Sequence, residues 1–215
     1  MRKKISDIYT EYKIMPSLQD HMLRVAAVAS LICDNFDEPL PKEEIISACL
    51  LHDMGNIIKS DLKYFPEFLE PQGLDYWQEV KDEYIQKYGK NELQATVQII
   101  QELGLSNLLP VFGGMSFAKA KENLAVEDFA IKICFYADLR VDPHGVVSYE
   151  GRMEEGKKRY QNRTDVFSTE GRDYLVQCGK EIEKQIFAKC KIKPEDINNE
   201  TAAPIILSLR GFVIK

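Results

Sequence analysis

Long apolar runs are missing from this chain. Lys, Glu and Asp interrupt each one before it reaches the length of a membrane span, so no spanning segment is expected. The basic residues of Met1-Arg2-Lys3-Lys4-Ile5-Ser6-Asp7 have no apolar core or small-residue cleavage site behind them, and no secretory signal is expected either. Paired cysteines are missing too. Cys33, Cys49, Cys134, Cys178 and Cys190 are odd in number, widely spaced and free of any C-x-x-C, which favours reduced buried thiols in a cytoplasmic protein over disulfides or a thiolate zinc site. Positive charge is not in excess: 28 Lys and Arg against 34 Asp and Glu give −6. That balance argues against a nucleic-acid polymer as partner, because such binding leans on a basic surface. A small phosphorylated ligand held by one or two local cations stays compatible with it. Repeats, low-complexity tracts and domain-dividing linkers are absent, and alternating strand patterns nearly so. The expectation is one all-α domain over residues 1–215, long enough to bury its own core.

What is present is mainly helical periodicity. Residues 1–16 read as a short lead-in ending at Pro16, and Ser17 can cap the first long helix. Leu18, Met22, Val25, Ala29, Ile32 and Phe36 form its apolar stripe. Pro41 suits the first position of the next helix, with Glu43 and Glu44 in its first turn. Asn56 to Gly73 reads as an irregular loop able to lie over a site. Leu74–Tyr88 is helical, and Asn91 caps a helix through Leu103. Leu105–Ala120 is weakly patterned. Ala125–Val141 lacks Gly and Pro and reads as one buried helix. Ser148–Tyr160, Thr169–Lys189 and Ala202–Val213 complete the helices, the last with Pro204 in its first turn.

Two of these apolar elements deliver carboxylates. Ile45 to Leu51 has almost no polar face, yet it runs into His52-Asp53, with Gly55 where a helix would stop. A buried carboxylate is costly without a partner, and the carbonyl end of a helix favours a cation nearby. A His-Asp pair also fits an ordinary helix end. Asp138, at the end of the late apolar helix, fits either a cation or an ion pair with Arg140. With His21 from the first helix, the set is two imidazoles and two carboxylates, which suits a borderline or hard divalent ion with positions left open for water. The remaining histidine, His144, sits in a turn.

The arrangement of His21 in Asp20-His21-Met22-Leu23-Arg24, His52-Asp53 in Leu50-Leu51-His52-Asp53-Met54-Gly55, and Asp138 in Tyr136-Ala137-Asp138-Leu139-Arg140 resembles the HD-domain superfamily of metal-dependent phosphohydrolases. The resemblance covers about residues 17–142, with the C-terminal helices of 148–213 expected to pack on that region. It implies a helical bundle in which His21, His52, Asp53 and Asp138 hold a divalent ion (Mg, Mn, Ni, Co, Fe or Zn) that activates a water for attack on phosphorus. Asp53, Lys59, Arg24 and Arg140 are the expected catalytic set, the three cations to neutralise charge growing on the phosphoryl oxygens.

The chain departs from the family pattern in two places. Asn56 stands where many members have Lys, and no histidine lies between Asp53 and Asp138, where Glu92-Leu93 replaces the frequent Glu-His. One metal per chain is therefore expected, with Glu92 a remote candidate as ligand or base. The expected substrate is a nucleotide or another small phosphorylated metabolite, in the cytoplasm, with no polymer or membrane partner. The alternative class is a catalytically weak HD-type module that binds a nucleotide or metal for signalling or scaffolding.

Overall fold

A computed structural model describes residues 2–159 and 169–215. Among them are eleven α-helices, a few 3-10 turns and one two-stranded ribbon: the fold is all-α. The helix α2 (Pro16–Asp34) is its axis. Of the expected stripe Met22, Val25, Ala29 and Ile32 are buried in α2, Leu18 is half-buried and Phe36 lies beyond its end; Leu23 and the unbroken run Val25–Ser30 are buried too, because α2 is covered on several sides, by α3 (Lys42–Leu51), α8 (Phe129–Asp138) and α11 (Asn199–Leu209). A helix wrapped in this way needs apolar residues around its circumference rather than along one stripe. All seven residues Ile45–Leu51 of α3 are buried, as are Lys132–Ala137 of α8. Between these come α4 (Gly73–Tyr88), α5 (Glu92–Glu102), α6 (Leu109–Gly114) and α7 (Ala120–Ala125); α9 (Tyr149–Arg159) and α10 (Thr169–Phe187) follow α8. The helix α10 packs on α7 and α8.

Several boundaries differ from the sequence reading, each for a local reason. Residues 1–16 are more than a lead-in: α1 (Ile5–Glu11) buries Ile5, Ile8 and Tyr9, and the Tyr9 hydroxyl donates to Leu50 O at 2.6 Å. Pro16 lies in the first turn of α2, where its missing N–H costs nothing, and Met15 rather than Ser17 precedes the helix. Pro41 precedes α3 instead of beginning it. Of the stretch read as one helix over Ala125–Val141, Ala125 ends α7, Val126–Asp128 is a break, and α8 takes Phe129–Asp138; Asp128 accepts from Ala130 N–H at 2.8 Å and starts that helix. Leu105–Ala120 forms short helical turns around α6. The last helix starts at Asn199 because Asn198 caps Glu200 and Thr201, so Pro204 falls inside it. Asn91 does cap α5, accepting from Gln94 N–H at 2.8 Å. Tyr160 lies outside the described residues.

Lys3–Lys4 (β1) and Val213–Ile214 (β2) pair antiparallel, Lys3 opposite Ile214. All five cysteines are free thiols, and Cys49 and Cys134 bring their sulfurs to 3.7 Å in the core. No helix among the described residues is long and apolar enough to cross a membrane.

Candidate metal centre

Three helices bring four remote side chains to one point. His21 projects from the second turn of α2. His52 and Asp53 directly follow the last residue of α3, and Asp138 is the last residue of α8. The Nε2 atoms of His21 and His52 lie 3.3 Å apart. Asp138 Oδ1 is 3.1 Å from His21 Nε2 and 3.4 Å from His52 Nε2, and Asp53 Oδ2 is 3.6 Å from each. Donors bound to one cation at about 2.0–2.2 Å stand roughly 3.0–3.6 Å from one another. The spacing therefore fits four groups facing a common centre, and His21, His52 and Asp53 form a metal-capable cluster by their mutual distances.

The chemistry of the donors fits as well. His52 is buried, and its Nδ1 lies 2.8 Å from the main-chain oxygen of Cys49. A carbonyl only accepts, so Nδ1 carries the proton, and the neutral ring presents a lone pair on Nε2 toward the cluster. Two helices, α3 and α8, end at the cluster with their carbonyl poles, adding negative potential to two carboxylates. A divalent cation is the species this environment suits.

Without a cation, a proton takes part of its role. Burial draws the His52 imidazolium down, but Asp53 and Asp138 beside it overcome that and raise it to about 9. Burial pushes the Asp138 carboxyl up, and the two imidazoles overcome it in turn, holding it well below the usual carboxylate range. His52 gains its proton more readily folded than unfolded, where its value is 6.5. Its contribution to the stability of cation-free protein is thus complete below about pH 6.5 and disappears as pH rises through about 9. The urea midpoint of chelator-treated protein is expected to fall between those two values, and added divalent ion to reverse the fall, since the ion displaces that proton.

The cluster opens into a cavity of about 420 Å³. His52, Asp53 and Asp138 line one region of it, and Asn56, Lys59, Glu92 and Thr96 also line it. Lys59 Nζ is 3.5 Å from Glu92 Oε1. The remote candidate Glu92 thus reaches the cavity beside a cation. Phe112, Met115 and Met153 supply apolar wall, and Arg152 and Arg172 add two guanidiniums from α9 and α10. These arginines were not singled out from the sequence, because charge-rich helices ordinarily present such residues to solvent.

Two expected cations are placed elsewhere. Arg140 is buried with its guanidinium spent on structure. Nε donates to Val147 O, Nη1 to the Tyr136 hydroxyl at 2.7 Å, and Nη2 to Pro194 O at 3.2 Å and Ile197 O at 2.8 Å. It ties α8 to the segment before α11 and does not line the cavity, which corrects its assignment as a phosphate ligand. Arg24, like its neighbour His21, is not among the residues lining the cavity, and its Nη1 donates to Pro143 O at 3.3 Å. The Asn56–Gly73 loop is held by contacts along its length: Lys81 Nζ donates to Ser60 O, Trp77 Nε1 to Leu69 O, and Phe65 and Phe68 pack on His144. Of that loop only Asn56 and Lys59 line the cavity.

Gly55 has another role than stopping a helix. Its φ is −93°, an ordinary right-handed value, while α3 has already ended at Leu51. A β-carbon there would lie 2.3 Å from Glu92 O and 2.8 Å from Ala95 Cβ. The glycine lets the turn carrying Asp53 touch the backbone of α5, where Gly55 N–H donates to Thr96 Oγ1 at 2.9 Å.

The sequence model of the HD domain matches residues 18–122. Residues 18–122 form an HD domain. HD domains bind divalent metals. No curated protein and no solved structure was found to match. The matched segment holds His21, His52 and Asp53 and ends before Asp138, which the structure brings to the same cluster.

Proposed function

We propose that this HD domain is a phosphohydrolase of a nucleotide or another small phosphorylated metabolite, with His21, His52, Asp53 and Asp138 holding one divalent ion. The observation that carries the reading is the convergence of two imidazole nitrogens and two carboxylate oxygens, 3.1–3.6 Å apart, on a cavity also lined by Lys59 and Glu92. When bound, the ion supplies a water of lowered pKa and a Lewis acid for a phosphoryl oxygen. The chain supplies the rest. Lys59 offsets charge that grows on the phosphoryl oxygens, and Glu92 is the carboxylate beside it that takes a proton. The cavity is of a size for one small ligand.

Phosphate release from a panel of phosphorylated metabolites, each with Mg, Mn, Ni or Co, tests this. Turnover with at least one pair is expected; stoichiometric metal without turnover on any of them would favour a binding module. Lys59→Ala is expected to raise KM for the active compound by about tenfold, the value of a charge-assisted contact to phosphate. A variant with unchanged KM and kcat would remove Lys59 from the phosphate site.

A further inference from the structure

Groups of both charges line the cavity. Its metal-facing region is lined by carboxylates, whereas α9 and α10 bring Arg152 and Arg172 to it. The two guanidiniums converge. A β-carbon on buried Gly156 would lie 3.1 Å from Arg152 Nη1 and 3.5 Å from Arg172 Nη2, so both cations crowd over one bare turn of α9. Glu155 is the carboxylate beside them, and it is shared: one oxygen takes Arg152 Nη1 at 2.8 Å and the other takes Arg159 Nε at 2.6 Å. Among the described residues, three guanidiniums thus stand around one shared carboxylate. The Nε of Arg152 is buried and has no hydrogen-bond partner among the described residues. Like charges held together, with a buried donor unmet, are costly in isolation and favourable around an oxyanion.

We propose that Arg152 and Arg172 form an oxyanion subsite, and that the substrate therefore carries a second acidic group, phosphate or carboxylate, besides the phosphate at the metal centre. Phe112, Met115 and Met153 flank the space for its body, so a compound with an apolar or planar middle fits better than an open polyol chain. The substrate half of this proposal rests on the phosphohydrolase reading above. The subsite itself does not, because it needs neither metal nor turnover.

Two binding measurements test it. In chelator-treated full-length protein, inorganic phosphate followed by calorimetry is expected to bind, and both Arg152→Gln and Arg172→Gln to weaken it about tenfold or more. The second variant lies on another helix and covers the case in which loss of the Glu155 contact unfolds the first. Unchanged binding in a folded Arg172→Gln variant, or no phosphate binding in wild type, would overturn the subsite. In metal-loaded protein, adenosine 3′,5′-bisphosphate is then compared with adenosine 5′-monophosphate, and 4-carboxyphenyl phosphate, as the phosphorylated carboxylate, with phenyl phosphate. Tighter binding of the bisphosphate alone assigns a phosphate partner, and tighter binding of the carboxyphenyl compound a carboxylate partner. In either case Arg172→Gln is expected to erase most of the advantage. Equal binding within both pairs with an intact phosphate subsite would overturn the two-anion substrate while sparing the arginines. Failure of every compound to turn over would count against hydrolysis and leave these binding results standing.

Discussion

His52→Ala is expected to empty the metal centre and abolish phosphate release together. The side chain does three things at one place. Its Nε2 stands 3.3 Å from that of His21 and 3.4 Å from Asp138 Oδ1, its Nδ1 is spent on Cys49 O, and its ring fills buried space at the end of α3. Removing partners behind a ligand already costs 10–100-fold in metal affinity, so losing a donor itself should cost more than about 100-fold. Elemental analysis after dialysis should fall from about one divalent ion per chain to a trace, as a site short of a donor loses its ion. Helical content should survive, because α2, α3 and α8 meet through Met22, Val25, Leu50, Ile133 and other apolar residues. Far-UV circular dichroism and the metal assay on one preparation check both halves. An active variant that keeps its metal would show that His52 is no ligand.

Gly55→Ala is expected to lower both stability and metal affinity, although the substitution adds only a methyl group. The added carbon would sit 2.3 Å from a main-chain oxygen of α5 and 3.0 Å from the Thr96 nitrogen, neither of which can rotate aside. Relief requires the turn to withdraw from α5, which breaks the Gly55–Thr96 hydrogen bond and shifts Asp53. Overpacking of this kind costs about 1–3 kcal/mol, which lowers Tm by roughly 2–12 °C in a chain of this size. Combining it with Ala95→Gly removes one clash, at Ala95 Cβ, and leaves the one with Glu92 O, so Tm should recover little. A Gly55→Ala variant that melts like the wild type would show that the close approach of this turn to α5 does not require glycine.

The glycine shows where sequence reading was right about a position and silent about its cause. His52, Asp53 and Asp138 could be seen as candidates because they end apolar runs, where a polar group needs a reason, and His21 joined them from the first helix through the HD pattern. The Asn91 cap was visible for a similar local cause: a short side chain that accepts from its own helix. Arg140 misled because nearness in sequence is not nearness in space. Two residues along a helix turn a side chain by about 200°, and Arg140 also lies beyond the end of α8, so it faces away from Asp138. The break at Val126–Asp128 was hidden because neither Gly nor Pro marks it; Asp128 as a cap was the available signal. Arg152 and Arg172 were beyond reach. Their helices are rich in charge of both signs, and only the packing of α9 and α10 against the cavity separates these two from their solvated neighbours.

The lock on His52 is made by the main chain. Cys49 O belongs to the backbone, so exchanging the side chain at position 49 leaves the tautomer of the imidazole untouched. Where a carboxylate orients such a ring, one point mutation undoes it. Here only rebuilding the terminal turn of α3 would, and the basicity of this nitrogen is thereby insulated from genetic drift in its neighbours.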